Sequence, residues 1–277
     1  MTITQAEFEY IQNLLHQQSG IVVETGKEYL VMSRLGPLAQ REGFSSLQEF
    51  IAALRANSFS SLHRKMVQAM TTNETLFFRD VRPFEVLRTT VMPDLIARRA
   101  TDRRLTFWCA AASTGQEPYS VAMLLRENFP QLQGWNVRFI ASDLSGDALA
   151  RAIRGCYTQL EVNRGLPAKY LVKYFRKQDD EWQIQDDIRR MVEFRELNLT
   201  ERWSFLPNLD VIFMRNVLIY FSLETKRAIL GKSAQLLRSD GYLFLGGAET
   251  TLNVADEFEP IPGIRGTCYR LKGPVRL

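Results

Sequence analysis

Residues 108–120 read W-C-A-A-A-S-T-G-Q-E-P-Y-S and join the apolar run Leu105 to Ala112 to a small-residue turn and then to a helix start. A strand, a glycine turn and a helix N-terminus in that order make a cradle. Gly115 lets backbone approach a ligand closely, and the free N–H groups of the first helical turn, with Glu117 and Pro118 inside it, serve polar atoms. With one glycine the turn is neither a GxxxxGKS/T phosphate loop nor a three-glycine dinucleotide fingerprint. A second segment, N-V-R-F-I-A-S-D from Asn136 to Asp143, turns apolar and ends on an acid 28 positions after Gly115. An acid closing the second strand of a βαβ unit is placed to grip a ribose diol. Asp143 also stands where it can cap the helical pattern that runs through Ile153.

Outward from the cradle, strands and helices alternate. Strands are expected at 105–111, 137–142, 209–214 and 241–246, and helices at 117–129, 145–153 and 224–238, the rhythm of a largely parallel α/β sheet. Between Arg164 and Asn198 the rhythm breaks. A short helix near 167–174 leads into R-K-Q-D-D-E-W-Q-I-Q-D-D-I-R-R, with a strand at 182–185 between acidic turns, and then into the strand-like V-E-F-R-E-L of 192–197. This predicts a small antiparallel β insertion at about 164–197. The first seventy residues read as helices only. Thr4 and Glu7 form a capping box ahead of Phe8, Ile11, Leu14 and Leu15, with Gly20 as the stop; Ser46 and Glu49 repeat the signature, and Leu62, Met66 and Met70 mark a fourth helix. A second helical pattern from Gly26 is expected to be interrupted at Gly36-Pro37. A helical domain over 1–70 is thus expected to precede an α/β domain over 71–277, with a connecting region near 71–90.

Composition narrows the chemistry. The chain has 277 residues, 45% of them hydrophobic, enough for a full core. Cys109, Cys156 and Cys268 have no CxxC spacing, and His16 and His63 are the two histidines. This argues against zinc, a disulfide framework and a His-dependent triad, and no metal is expected. The N-terminus M-T-I-T-Q-A-E-F lacks a basic and then apolar leader, and no window holds the roughly 18 apolar residues of a membrane span. The expected setting is a reducing cytoplasm, with no membrane insertion. The net charge of +4 is spread among interleaved acids, which argues against nucleic acid as a partner.

The remaining motifs are M-T-T-N-E-T-L-F-F-R-D at 70–80, E-L-N-L at 196–199, V-I-F-M-R-N-V-L-I-Y-F at 211–221 and G-Y-L-F-L-G-G-A-E-T at 241–250. Together with the cradle and the A-S-D of 141–143, they give a chain that closely resembles the chemotaxis-receptor methyltransferases. These form the CheR family of S-adenosylmethionine-dependent protein-glutamate O-methyltransferases. The resemblance implies a Rossmann-like class I methyltransferase domain with a small antiparallel β insertion, preceded by an all-helical domain that recognises substrate. It implies S-adenosyl-L-methionine as cofactor, S-adenosyl-L-homocysteine as product, and the cytoplasmic signalling domain of chemoreceptors as partner. Cofactor contacts carry over to Asn73, Thr75, Arg79, Glu117, Asp143, Asn198, Leu199, Arg215 and Asn216, and Arg79 and Tyr220 fall nearest the methyl group. Read without the family, Asn73 and Thr75 can cap a following helix, Arg215 can be a salt-bridge partner and Tyr220 a core aromatic. Amino-group methylases of bases place a Pro-rich N-P-P-Y loop where this chain reads R-N-V-L-I-Y. A signalling adaptor without turnover would not need Arg79 and Tyr220.

The implied reaction suits these residues. A glutamate with an unperturbed pKa near ~4.3 is already an anionic nucleophile at neutral pH, so no general base is needed. The task is to align and desolvate it, which Arg79 can do through charge-assisted hydrogen bonds with Tyr220 donating one more. Relatives that dock on a receptor's C-terminal tethering peptide carry a glycine-containing loop in the β insertion; R-K-Q-D-D-E-W-Q-I-Q-D-D has none, so tether-independent action is expected. Lys27, Arg34 and Arg41 recur every seven residues, which on one continuous helix would form a cationic stripe for the receptor's acidic helices.

Overall fold

The computed structural model describes residues 3–56, 60–264 and 266–273. The chain forms two compact units: Met1–Thr72 with Tyr220–Thr225, and Asn73–Ile219 with Lys226–Leu277.

The first unit is helical. In α1 (Gln5–Ser19) the Thr4 side chain accepts from the Glu7 N–H while Glu7 accepts from the Thr4 N–H, and Gly20, at φ 72°, closes the helix. Phe8, Ile11, Leu14 and Leu15 are its buried face. Helix α2 (Glu28–Arg41) runs straight through Gly36-Pro37. The expected interruption does not occur: Pro37 and Ser33, the residue four before it whose carbonyl loses a donor, are both exposed, so the proline costs the helix no buried contact. In α3 (Leu47–Ala56) half of the second capping box forms: Ser46 accepts from the Glu49 N–H, but Glu49 reaches the Ser45 N–H instead. Helix α4 (Ser61–Met70) starts at Ser60, whose N–H donates to the buried His63 ring, so this histidine is a cap. The segment Tyr220–Thr225 joins this unit through an Ile21–Phe221 bridge and a 2.9 Å hydrogen bond from the Val22 N–H to the Tyr220 carbonyl.

The second unit opens with α5 (Arg82–Val86) and α6 (Met92–Arg98), joined by a π turn over Leu87–Val91 ahead of Pro93, which has no N–H to donate. There follow β1 (Arg104–Ala110), α7 (Gln116–Asn128), β2 (Asn136–Asp143) and α8 (Gly146–Arg154). A small subdomain holds β3 (Cys156–Thr158), α9 (Gln159–Asn163), α10 (Ala168–Tyr174), β4 (Phe175–Gln178) and β5 (Glu181–Ile184). The chain then returns through α11 (Asp186–Arg189), β6 (Val192–Glu196), β7 (Leu209–Met214), α12 (Leu223–Leu236), β8 (Leu237–Leu245), β9 (Phe258–Pro260) and β10 (Cys268–Leu271).

The large sheet has the order β6-β2-β1-β7-β8-β10-β9 and the small one β3-β5-β4. Strands β6, β2, β1, β7 and β8 are parallel, while β10 runs antiparallel to both neighbours. The expected insertion at 164–197 is therefore corrected at both ends. Its first strand is Cys156–Thr158, and Val192–Glu196 leaves it to pair with β2 from Phe139↔Val192 to Asp143↔Glu196. Strand β7 is buried along its whole length, as a parallel strand covered on both faces must be, and Phe213 stacks on Phe244 at 4.5 Å. At the opposite end from the cradle, Arg99 bridges Asp210 at 2.9 Å and Asp240 at 2.6 Å.

Candidate active site

From β1 the chain builds outward to β2 and β6 on one side, then to β7 and β8 on the other. The order reverses between β1 and β7, and ligands of open α/β sheets bind beyond the carboxyl ends of strands at such a switch point. The ends of β1, β2, β6 and β7 carry Ala111–Gly115, Asp143, Asn198-Leu199 and Arg215-Asn216.

The turn after β1 is more strained than its one glycine suggests: Ala111 and Ser113 also hold positive φ, 53° and 51°. Its shape is pinned from three sides. The Ser113 N–H donates to Asp143 Oδ2 at 2.7 Å, the Ser113 hydroxyl to the Asn73 carbonyl at 2.9 Å, and the Tyr157 hydroxyl to the Thr114 carbonyl at 2.8 Å. Gly115, at φ 94°, is favoured by its backbone and closely surrounded as well: a Cβ there would stand 3.0 Å from Ala152 Cβ and 3.1 Å from the Tyr157 hydroxyl. Asp143 is not the helix cap; Ser145 is, accepting from the Ala148 N–H. Asp143 accepts from the Ser113 N–H on Oδ2 and, at 2.8 Å, from the Ser145 N–H on Oδ1, and the acceptor capacity of a carboxylate leaves room for a diol hydroxyl. Burial pushes its carboxyl above the usual aspartate range, against backbone N–H bonds from Ser145, Ser113 and Leu144 that lower it.

The second half of the site is a buried charge cluster. Arg215, with no exposed side-chain surface, pairs with Glu117 and donates to Asp80 Oδ2 at 2.7 Å and to the Arg79 carbonyl at 2.9 Å. Glu117 also accepts from the Cys109 thiol, which burial holds well above its ordinary pKa. These bonds hold an improbable turn, since Phe78, Asp80 and Val81 all have positive φ, 49°, 66° and 43°. A β-branched residue in that region is a strained one. Arg79 itself is half-buried and only weakly held, Nη1 lying 3.3 Å from the Glu74 carbonyl. Arg215 Nε is buried and has no hydrogen-bond partner. An unmatched guanidinium donor at the centre of a site suits a ligand carboxylate, as the free lone pairs of Asp143 suit a ribose.

The structure thus brings the Asn73 carbonyl and Asp143 together through Ser113, and Glu117, Arg215 and the Arg79 backbone together in a second hydrogen-bonded network. Asn198 lies next to the first of these, because the Leu197 N–H donates to the Asp143 carbonyl at 2.9 Å. Asn198 is buried with Thr200 on its side-chain oxygen, and the Leu199 carbonyl accepts from Lys232 at 2.6 Å. Asn73 and Thr75 precede no helix directly, since α5 begins at Arg82, so they are not caps. Tyr220 ends a 3₁₀ turn and is half-buried rather than a core aromatic; it belongs to the first unit.

The cationic stripe does not form as three free charges. Lys27 lies outside α2 and pairs with Glu24 at 2.8 Å, and Arg34 donates to the Met70 and Thr71 carbonyls and the Thr72 hydroxyl, holding the end of α4. Arg41 alone of the three is exposed. Residues that sequence reading missed, Asp80, Tyr157 and Lys232, all act on backbone or on a buried partner. Asp80 carried the one usable signal, an acid next to Arg79 in a segment already marked.

Residues 73–266 match the family model for the CheR methyltransferase, SAM binding domain, and residues 6–71 that for the CheR methyltransferase, all-alpha domain. The chain is 42% identical over 277 residues to chemotaxis protein methyltransferase 1 of Pseudomonas aeruginosa, covering 98% of this chain and 100% of that one. It is 39% identical over 277 residues to chemotaxis protein methyltransferase Cher2 of Pseudomonas putida, with the same coverage of 98% and 100%. It is 38% identical over 275 residues to the chemotaxis protein methyltransferase of Vibrio parahaemolyticus, covering 98% and 99%. With an S-adenosylmethionine-binding sheet whose strand order reverses beside the Glu117–Arg215 pair, and an all-helical unit before it, this chain belongs to the CheR methyltransferase family.

Proposed function

We propose that this methyltransferase esterifies glutamate side chains on the cytoplasmic signalling domain of chemoreceptors, and does so without a receptor tethering peptide. The observation that carries the reading is the Arg79 turn, in which a half-buried guanidinium with one weak backbone contact stands on a backbone clamped by buried Arg215. Such a group can meet a carboxylate without giving up a partner. When bound, S-adenosylmethionine would supply an electrophilic sulfonium methyl for a glutamate oxygen, with S-adenosylhomocysteine as the leaving group. Asp143 would hold its ribose and Arg215, with Glu117 offsetting its charge, its methionine end; Asn73, Thr75, Asn198, Leu199 and Asn216 would complete the cradle. Arg79 orients the incoming carboxylate and offsets its desolvation, and Tyr220 donates one further hydrogen bond. The imperfect contact matters, because a closed bidentate pair would blunt the nucleophile.

The helical unit reads the receptor, and on it Arg41 is the candidate contact that remains exposed. Tether independence is supported by the β4–β5 hairpin, which closes over Asp179 and Asp180 alone, with Asp179 at φ 49°. The test is transfer of labelled methyl from S-adenosylmethionine to receptors of the same genome, with methyl esters mapped by mass spectrometry. Receptors lacking their last residues should be methylated at the full-length rate, and Tyr220→Phe should slow transfer while sparing cofactor affinity. Label on lysine or on nucleic acid instead of glutamate, or loss of transfer to the shortened receptor, would refute the corresponding part.

A further inference from the structure

The loop after β7, Arg215 to Leu218, is held by one side chain from the loop after β8. Glu249 is buried and accepts four backbone N–H groups. Its Oε2 takes Asn216 at 2.8 Å and Gly246 at 2.7 Å, and its Oε1 takes Val217 at 2.9 Å and Leu218 at 2.7 Å. Two bonds on each oxygen use the full acceptor capacity of a carboxylate, so Glu249 has nothing left to offer a ligand. No cationic side chain pairs with it among the described residues. Its charge is matched entirely by the amides of two loops, the one after β7 and its own after β8.

The fit leaves no slack. A Cβ on Gly246 would stand 2.7 Å from Glu249 Oε2, 2.8 Å from Asn216 Nδ2 and 2.9 Å from the Asn216 nitrogen. Asn216 is itself turned to φ 58°. The Arg215 side chain leaves this loop for Glu117, Asp80 and the Arg79 carbonyl, so whatever sets the loop also sets the clamp on the Arg79 turn. We propose that Glu249 is a positioning residue for methyl transfer: it fixes the Arg215–Leu218 loop and so controls how tightly the cofactor is held. The proposal rests on the reading that Arg215 and Asn216 hold the cofactor.

Glu249→Gln is the direct test, because it replaces one acceptor oxygen by an amide that must face two N–H donors. Titration calorimetry of the full chain with S-adenosylhomocysteine should show affinity reduced about 10- to 100-fold, the effect of losing hydrogen bonds to a charged group. Asn216→Gly, which keeps the backbone turn and removes the side chain, should also weaken binding. The double variant should fall short of the product of the two, since both act on one loop. Asp240→Asn, at the far end of the sheet, should lower the melting temperature and leave affinity alone. Wild-type affinity in Glu249→Gln beside a weakened Asn216→Gly overturns the positioning role and leaves the cofactor reading standing. Wild-type affinity in Asn216→Gly overturns that reading, and the proposal with it. An equal loss in Asp240→Asn reduces Glu249 to a stabilising residue. If Glu249→Gln does not fold, Gly246→Ala takes its place, and unchanged affinity there overturns the proposal.

Discussion

Asp143 pins the Ser113 turn and is proposed to hold the ribose, two duties that a single substitution separates poorly and a pH profile separates well. Asp143→Ala should weaken S-adenosylhomocysteine binding by about 1.5–3 kcal/mol, the range for a hydrogen bond to a charged group, as read by calorimetry on protein with a native circular dichroism spectrum. Because burial raises its folded pKa, lowering the pH protonates it above the range where an ordinary aspartate titrates. A protonated carboxyl loses an acceptor, so wild-type affinity should fall through that window while the alanine variant stays flat. In the ligand-free fold the sign is opposite: a carboxyl with a raised folded pKa adds stability below its unfolded pKa, and that stability is lost as pH rises through the folded one. A wild-type profile as flat as the variant's would take Asp143 out of the cofactor site. At this scale the sequence showed the residues that face outward into the cradle. It gave no role to Asp80 and Glu249, although both stand in marked segments, and no sign of Lys232, because spacing does not reveal which side chains serve backbone groups or a buried guanidinium.

Among the elements, Gly165 fixes the approach of the small subdomain to the Arg79 turn. A Cβ there would lie 2.1 Å from the Phe77 carbonyl oxygen, and its φ is 87°. Gly165→Ala should therefore cost about 1–3 kcal/mol or more in stability and slow methyl transfer as Phe77 is pushed toward Phe78–Val81. Gly134→Ala is the control: φ is 84° but no atom lies within 4 Å, so it meets the conformational penalty alone. Equal losses of melting temperature would show that Gly165 is kept for its φ and not for the contact. The main strands and helices were legible because their periods of burial are long and regular. Strand β6 was misplaced because five residues of V-E-F-R-E do not reveal which sheet they join; the Asp143↔Glu196 register does. Strands β9 and β10 were unread for the same reason, being three and four residues long with Pro260 at the end of the first.

For the molecule as a whole, the two arginines of α2 give opposite expectations. Arg34→Glu removes the donor to Met70, Thr71 and Thr72 and should lower the melting temperature. Arg41→Glu touches exposed surface and should leave stability alone while raising the apparent KM for receptor at low salt, an effect that high salt erases. Unchanged receptor kinetics in Arg41→Glu would move substrate docking away from this helix. The heptad spacing could not foresee this division, because it records where cations recur and not which of them a neighbouring helix end has claimed. The segment Tyr220–Thr225 has a consequence of another kind. The backbone passes from one unit to the other at 72–73, at 219–220 and again at 225–226, so the helical unit is built from two separate stretches of the chain. A protease nicking the chain after Thr72 would free no fragment at once, because the Ile21–Phe221 bridge and the Val22–Tyr220 hydrogen bond still stitch the severed piece to the segment that carries the proposed methyl-proximal tyrosine.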